Sequence, residues 1–377
     1  MRREQRSEVA LDLTGAAPRS LAGLWIAYVL AVWLIAHYAA GALMSHRVPP
    51  PPAVAVAPLS AWDGTNYADV ARHGYSTAPD AVGRFAFFPL LPALARLFGG
   101  VARAPLAGIL LSQILLLGSM LLLRAWRTDG GAAGLRGEPG LWLIVAPLAF
   151  FHAVFYTESL FLFLVLAGLL LGRRGHSAPA VAALFLAGLT RPTAICIPAL
   201  FIPDIMKAET RRAGLMFAVA PLAGMAAYLA YVGVQLGSPF AYSRLQAELW
   251  GHAWTLPFHP AVLELKRIAG LLISGTLPPR DLLIRPVVLA GVIAVLGTGW
   301  RRLDPGLRAY AVVSLLFIHA QVPSLSSARY DLAIFPIYIA LAGSPFARSR
   351  GGVLLAVACV IVQLVFLLDF MVWRWAG

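Results

Sequence analysis

Long apolar stretches separated by short polar ones run along most of the chain. A helix that spans a bilayer needs about 20 mainly apolar residues, so runs of this kind predict membrane helices. The predicted helices, several of them short, lie near 21–45, 104–124, 140–153, 159–172, 178–190, 193–206, 213–236, 284–300, 307–321, 331–345 and 352–373. We therefore expect an all-α polytopic membrane protein with about eleven transmembrane helices.

Two polar breaks interrupt these apolar runs. "HAVFYTES" at 152–159 divides the run 140–172, and "TRPT" at 190–193 divides the run 178–206. A break at membrane depth is costly unless it faces protein or water, so both breaks are candidates for function. A third segment, "FAFFPLLPALARLF" at 85–98, predicts a short, proline-broken helix at the membrane interface.

Composition supports the membrane class and excludes others. Hydrophobic residues make up 60% of the chain and charged residues 12%, whereas soluble domains have about a quarter charged residues. The net charge of +13 comes from short basic clusters between apolar runs, a pattern of membrane topology rather than of nucleic-acid binding. Cys196 and Cys359 lie inside apolar segments, which supports neither a disulfide framework nor a metal knuckle.

The basic clusters also predict which loops face the cytosol. With residues 1–20 as a cytosolic tail, the inner loops are 125–139, "GRRGHS", "KAETRRAG", "WRRLDPGLR" and "FARSRGG", each with at least two basic residues. Residues 21–377 then form one integral membrane domain with large outer loops at 46–103 and 237–283. All the unusual polar stretches fall on the outer face, although one further crossing within 85–105 would reverse the assignment.

The stretch "SAWDGTNYADVARHGY" at 60–75 stands out in the first outer loop. Ser60 and Asp63 match a capping box, which predicts a short helix that Ser60 starts. On that helix Asp63, Asn66 and Tyr67 share one face, at steps of three and four. Trp62 and Tyr67 have two interpretations, as interfacial anchors or as residues that stack on a ligand.

Three charged residues beside the breaks share the predicted outer face. Glu158 follows the first break, and its alternatives are a salt bridge to an arginine or a functional carboxylate. Arg191 lies in "LTRPT" and Arg329 in "SLSSARYDLAIFP"; each is either a snorkelling arginine or a phosphate-binding one. Together the two arginines favour an anionic ligand. No nucleotide-binding or zinc-protease motif is present, and no metal or cofactor is expected.

Taken in order, these motifs resemble the PIG-V-type GPI mannosyltransferases and their bacterial relatives, within the GT-C superfamily of membrane glycosyltransferases. Two residues depart from the family pattern: Asn66 stands where relatives often carry His or an aromatic residue, and Ala194 where they often carry Gly. The matching stretches are "WDGTNYADVARHGY" (62–75), "FFPLLP" (87–92), "FYTESLFLF" (155–163), "LTRPTA" (189–194) and "SARYDLAIFP" (327–336).

The resemblance implies a GT-C-like bundle that transfers mannose from a polyprenyl-phosphate mannose at the outer face of a bacterial plasma membrane. It implies Asp63 as the catalytic base; Arg329 and Arg191 would then hold the donor phosphate. Trp62, Asn66, Tyr67, Glu158 and Tyr330 are the expected substrate contacts. The acceptor is left open between a glycolipid, a glycan and a protein.

Two other classes remain as alternatives. A transporter or flippase of a lipid-linked sugar would place its binding residues near the bilayer midplane, often within internal repeats. No internal repeat is visible, and the charged motifs lie at helix ends. A non-catalytic assembly protein with the same fold would have no need of Asp63 and both arginines.

Overall fold

The computed structural model describes residues 18–45, 56–128 and 137–374, almost all of them in helices and the turns between helices. Its α-helices are α1 (Pro18–Ser45), α2 (Asp63–His73), α3 (Leu90–Thr128), α4 (Pro139–Val145), α5 (Glu158–Arg173), α6 (Ser177–Gly188), α7 (Ile202–Met206), α8 (Arg211–Gln235), α9 (Ala241–Trp250), α10 (His259–Ile273), α11 (Arg280–Gly299), α12 (Pro305–Ile318), α13 (Ser327–Leu332), α14 (Pro336–Ala342) and α15 (Arg350–Met371). Short 3-10 helices cover Pro58–Ser60, Val82–Ala86, Ala149–His152, Pro192–Phe201, Trp300–Arg302 and Pro345–Arg348.

The strands of the described part are β1 (Ala253–Trp254) and β2 (Gln321–Val322), which pair antiparallel. Most of the predicted tail 1–20, the proline-rich stretch before residue 56 and much of the loop 125–139 lie outside the described residues.

Within the described residues, five helical segments are long and apolar enough to cross a membrane, by length and composition. They are Ser20–Ala39, Leu90–Trp126, Arg211–Gln235, Arg280–Arg302 and Arg350–Met371. The shorter apolar helices include α6, which packs against α5 and α8, and α12, which packs against the 3-10 segment Pro192–Phe201. The prediction of an all-α, multi-pass membrane protein is therefore confirmed.

Three of the predicted membrane segments are interrupted in the structure and do not form single helices. Residues 140–153 form α4 and a 3-10 turn, 193–206 form a long 3-10 segment followed by α7, and 331–345 are divided between α13 and α14. Pro198 lies inside the 3-10 segment and Pro336 starts α14. Proline removes a backbone donor and clashes with the preceding turn, so these sequences do not continue as one helix.

Side chains from two helices satisfy backbone carbonyls in the first break and in the turn that precedes it. Gln363 of α15 donates to the carbonyls of Ile144 (3.0 Å) and Ala146 (2.8 Å). Gln113 of α3 donates to the carbonyl of Ala153 (3.0 Å) and accepts the Trp33 indole N–H of α1 (3.2 Å). Unpaired carbonyls would cost several kcal/mol each at membrane depth, so these amides fix the non-helical path that leads to Glu158.

The predicted interfacial helix at 85–98 is different in the structure. Residues 82–86 form a 3-10 turn, and α3 starts at Leu90 and runs to Thr128 through a kink at Gly100. Gly100 has a φ of 60°, which glycine adopts without strain. Because this backbone conformation is not helical, residues 90–99 and 101–128 are two helices that meet at Gly100, and the short helix predicted at 85–98 is present with a later start, at Leu90.

Close contact between α6 and α8 depends on two glycines. A Cβ atom at Gly188 would lie 2.1 Å from the Pro221 carbonyl oxygen, and one at Gly224 would lie 2.1 Å from that of Phe185. Small residues let membrane helices approach this closely. This packing fixes the end of α6, and Arg191 follows three residues later.

Candidate active site

A cavity of about 320 Å³ opens at the end of the bundle where the polar breaks meet. Its lining comes from the start of α2, residues 156–158 and 190–193, α9 with β1, and residues 317–330. Ligand sites typically have volumes of roughly 300–1,000 Å³, so this cavity is of a size that holds a small polar group.

Asp63 is the first residue of α2, but the predicted capping box is wrong. Ser60 ends the preceding 3-10 helix, and its hydroxyl donates to the carbonyl of Val56 (3.3 Å) rather than capping α2. Trp62 precedes the helix with φ 59° and ψ −125°. For a residue with a side chain, such a conformation costs of order 1–3 kcal/mol and requires support from its surroundings.

The support comes from Tyr156, a residue of the first polar break. The Tyr156 hydroxyl accepts the backbone N–H of Asp63 (3.1 Å) and donates to the carbonyl of Ala61 (3.4 Å). It therefore bridges the backbone on both sides of the strained Trp62. Tyr156 lies inside the "FYTES" motif, but the sequence does not indicate this supporting role, because nothing in the motif relates the tyrosine to Asp63.

Trp62 supports the same turn from the other side and lies outside the cavity lining. Its indole N–H donates to the carbonyl of Phe370 at the end of α15 (3.3 Å), and its ring lies 5.6 Å from that of Trp373. Asn66 is half-buried and also lies outside the lining. Tyr67 is buried, lines the cavity and packs edge-on against Phe87.

Four charged side chains, Asp63, Glu158, Arg191 and Arg329, meet at the cavity; we call them the cavity cluster. One Glu158 oxygen lies 3.1 Å from Arg191 Nη1 and 3.4 Å from Arg329 Nε. Arg329 Nη1 lies 3.4 Å from an Asp63 carboxylate oxygen. These residues meet through direct contacts. Of the alternatives for Glu158, the salt bridge to an arginine is present; a functional role stays a prediction for this carboxylate, which also lines the cavity.

Both arginines are buried, which excludes snorkelling to solvent. Arg191 is 5% exposed and Arg329 6% exposed. The Arg329 guanidinium carbon lies 4.9 Å from the Phe151 ring centre, 5.3 Å from that of Tyr156 and 4.8 Å from that of Tyr330. Its Nη2 donates to the Tyr330 hydroxyl (3.0 Å). Aromatic faces stabilise a cation that has lost its water, so they hold Arg329 in place without neutralising it.

The cavity cluster is incompletely hydrogen-bonded. Glu158 Oε2, Arg191 Nη1 and Arg329 Nε are buried and have no hydrogen-bond partner of good geometry in the described structure. Buried polar groups are normally satisfied, and exceptions point to a role in ligand binding or strain. With a total of five N–H groups on each arginine, the cluster retains donors for an anionic ligand.

The acid–base state of Asp63 is set by opposing effects. Burial raises the pKa of the Asp63 carboxyl above its usual range, while the neighbouring Arg329 guanidinium opposes that rise. A quarter of the side chain is exposed towards the cavity. Asp63 is thus a carboxylate near a cation, with access to a bound molecule.

Metal ligands are not grouped in the described residues: no set of three or more His, Cys, Asp or Glu side chains is placed to hold an ion there. His152, next to the cavity cluster, is buried and has its Nδ1 3.3 Å from the Ser159 hydroxyl. It is therefore a hydrogen-bonded core histidine.

The overall fold is similar to that of a solved membrane protein. The crystal structure of ArnT from Cupriavidus metallidurans bound to undecaprenyl phosphate aligns with a TM-score of 0.50 and 17% identity, over 95% of this chain and 69% of that one. The apo form of the same protein aligns with a TM-score of 0.48 and 18% identity over the same shares. No family model matches the sequence, and no curated protein matches it. The fold is thus a helical bundle like that of ArnT.

Proposed function

We propose that this protein is a membrane glycosyltransferase that moves a sugar, mannose by the motif resemblance, from a polyprenyl phosphate to an acceptor hydroxyl. One observation carries the proposal: Asp63 and two buried arginines meet at one cavity, with hydrogen-bonding groups left unsatisfied. The similar fold of ArnT, which was crystallised with undecaprenyl phosphate, supports a lipid-linked donor.

Asp63 is suited to act as the general base. In a single inverting displacement, its carboxylate takes the proton of the acceptor hydroxyl as that oxygen bonds to the anomeric carbon. The bond from this carbon to the phosphate oxygen breaks, and the electron pair leaves with the polyprenyl phosphate. Asp63 and Glu158 are the carboxylates of the cavity lining, and Glu158 is engaged by both arginines. Because both arginines hold Glu158 by one of its oxygens, this carboxylate is assigned to positioning the cations and Asp63 to proton transfer.

Arg329 and Arg191 are suited to hold the donor phosphate. Negative charge grows on the phosphate as the glycosidic bond breaks, and fixed cations stabilise that charge without reorganising. The contacts to Asp63 and Tyr330 engage one N–H on each terminal nitrogen of Arg329, while its Nε, 3.4 Å from Glu158, has no hydrogen bond of good geometry within the described residues. One N–H on each terminal nitrogen remains, which matches two phosphate oxygens.

Glu158 and Tyr330 then have supporting roles. Glu158 fixes the spacing of the two arginines, because one of its oxygens contacts both. Tyr330 lies 4.9 Å from the Arg191 guanidinium and 4.8 Å from that of Arg329, so its ring separates the two cations. Tyr67 lines the cavity beside Asp63 as a sugar contact. Trp62 and Asn66, expected as direct substrate contacts, are better placed to shape α2.

We also propose that residues 21–377 form a single membrane domain and that its cavity faces the extracytoplasmic side. The side is proposed because the predicted inner loops are rich in basic residues. Attaching a cysteine-directed, membrane-impermeant label to a single cysteine at residue 76 tests it, because Ser76 lies in the same loop outside the cavity lining. Labelling from the outside of intact cells is expected; labelling only after the membrane is opened would reverse the topology.

Transfer is distinguished from transport in proteoliposomes that carry labelled undecaprenyl-phosphate mannose in one leaflet together with membrane lipids of the source organism. Transfer moves the label to a new compound and releases undecaprenyl phosphate in equal amount. Movement of intact donor between leaflets, with no new labelled compound, would instead establish the transporter.

A further inference from the structure

Another part of the cavity lining, contributed by α9, β1 and β2, differs from the cavity cluster. It is formed by Tyr242, Gln246, Trp250, His252, Trp254 and Gln321, which we call the neutral wall. Among all the described lining residues, the charged side chains are those of the cavity cluster. Burial lowers the pKa of His252 below its usual range, which favours the neutral imidazole.

The neutral wall arises from the periodicity of α9. Tyr242, Gln246 and Trp250 follow at steps of four, so they share one face of the helix, and that face lines the cavity. Arg244 and Glu248, between them, are exposed and lie outside the lining. The helix thus directs its uncharged residues to the cavity and its charged residues away from it.

Backbone pairing fixes the remainder of the wall. Trp254 pairs with Gln321 across the β1–β2 ladder, and the Thr255 N–H donates to the carbonyl of Ala320 (2.8 Å). The Trp254 ring lies edge-on 5.4 Å from Phe317, yet the residue is 66% exposed. Large, exposed aromatic surface beside a cavity is available to a ligand.

A second cluster of charges anchors the loop after β2 and leaves the wall neutral. Arg285 pairs with Glu264, and Ser324 of the cavity lining donates to the same Glu264. Arg285 also donates to the carbonyl of Asp281 (2.8 Å). We call Glu264, Asp281, Arg285 and Ser324 the anchor cluster. Its charged side chains lie outside the cavity lining, so they place no charge on the wall.

We infer that the neutral wall is the acceptor subsite and that the acceptor presents an uncharged saccharide there. The inference rests on the proposed glycosyl transfer. Indole and phenol rings pack against the apolar face of a sugar ring, and amides pair with its hydroxyls. A charged headgroup would be left without a counter-ion at this wall, which is unfavourable in a partly dehydrated site.

The same chemistry distinguishes a sugar from the polyprenyl chain of the donor. A hydrocarbon chain gains from continuous apolar surface, whereas Gln246, His252 and Gln321 would lose water to it without compensation. The donor phosphate is already assigned to the two arginines, which lie with Asp63 in the cavity cluster. An acceptor hydroxyl at the wall side of Asp63 would therefore face the base.

The test uses purified protein in nanodiscs with labelled undecaprenyl-phosphate mannose as the donor. Membrane lipids of the source organism are first separated by anion exchange, and the neutral and anionic fractions are offered separately as acceptors. Delipidated membrane protein is the third acceptor preparation. We expect label to enter a glycolipid or free glycan of the neutral fraction. Trp254→Ala is expected to raise the half-saturating amount of that fraction about tenfold, which corresponds to the loss of a stacking contact of about 1.4 kcal/mol, with the KM for the donor unchanged. Trp254→Phe is expected to restore most of this loss.

Leu256→Ala is the matched control, since Leu256 is two residues away, 77% exposed and outside the cavity lining. The acceptor inference is wrong if label enters the anionic fraction or protein, or if Trp254→Ala changes the KM for the donor. The proposed transferase function would still stand after any of these results. No labelled product in any arm, with active wild-type donor binding, contradicts the proposed function itself.

Discussion

The cavity cluster and the anchor cluster are two sets of buried charges in a chain that is 60% hydrophobic. In the anchor cluster, Arg285 is held by Glu264 and Asp281, and Ser324 completes the pairing. In the cavity cluster, contacts of 3.1–3.4 Å leave buried nitrogen and oxygen atoms unsatisfied beside a cavity. Both clusters bury charge, so burial alone does not distinguish them. A structural cluster satisfies the hydrogen-bonding atoms of its charged side chains, whereas a ligand-binding cluster leaves some of these atoms unsatisfied.

The largest effect is expected from breaking the anchor cluster. Arg285→Met leaves Glu264 buried without its cation, which typically costs about 3–5 kcal/mol. The apparent melting temperature of the purified protein should fall by several degrees, as measured by thermal denaturation in detergent. Adding Glu264→Gln should recover most of the loss, because it removes the unpaired charge. Equal melting temperatures for wild type and Arg285→Met would contradict a structural role.

Arg329→Gln is expected to act on donor binding instead. A charge-assisted hydrogen bond contributes about 1.5–3 kcal/mol, so affinity for undecaprenyl-phosphate mannose should fall by roughly 10- to 150-fold. Equilibrium binding in nanodiscs measures the change, with Arg96→Gln as the control because Arg96 binds the carbonyls at the end of α2, away from the cavity. A loss no larger than that of Arg96→Gln would remove Arg329 from the phosphate site.

Tyr156→Phe should have a smaller effect, confined to turnover. It removes the hydroxyl that bridges Ala61 and Asp63 but keeps the ring beside Arg329. Loss of hydrogen bonding worth about 0.5–1.5 kcal/mol predicts a decrease in kcat of roughly 2- to 10-fold. The KM for the donor should stay constant; a change in KM alone would mean that Tyr156 acts through Arg329.

The smallest effect concerns pH. Asp63 is a base only when ionised, so kcat/KM falls as pH is lowered through its pKa, which burial raises above the usual range of aspartate. Arg329 opposes this rise, so Arg329→Gln should move the acid limb to higher pH. A pH profile of residual activity tests the direction. If the acid limb of the pH profile stays in place or moves to lower pH, a group other than Asp63 controls it.

Much of the bundle could be predicted from the sequence because hydrophobic periodicity is a local property. Eight of the eleven predicted segments are single helices in the structure, and the other three are interrupted near prolines or at polar motifs. The break at Gly100 agrees with the prediction of separate helices near 85–98 and 104–124, whereas the start at Leu90 was missed: Pro89 disfavours helical backbone at the residue before it.

The candidate site was predictable only in part. The motifs identified Asp63, Glu158, Arg191 and Arg329, yet the contact between Asp63 and Arg329 joins residues 266 positions apart. The start of α2 was misassigned to Ser60 because the Tyr156 hydroxyl, distant in sequence, supports that turn. The neutral wall carries no motif at all, since its residues become neighbours only through α9 and the β1–β2 pairing.

The most direct test of the central claim compares Asp63→Asn with Asp69→Asn in the nanodisc transfer assay. Asp69 lies on the same helix, is about half exposed and is outside the cavity lining. Asp63→Asn should bind undecaprenyl-phosphate mannose but transfer its sugar at least about 100-fold more slowly than wild type, as for the loss of a general base. Asp69→Asn should match wild type. Transfer by Asp63→Asn at the wild-type rate would contradict the account.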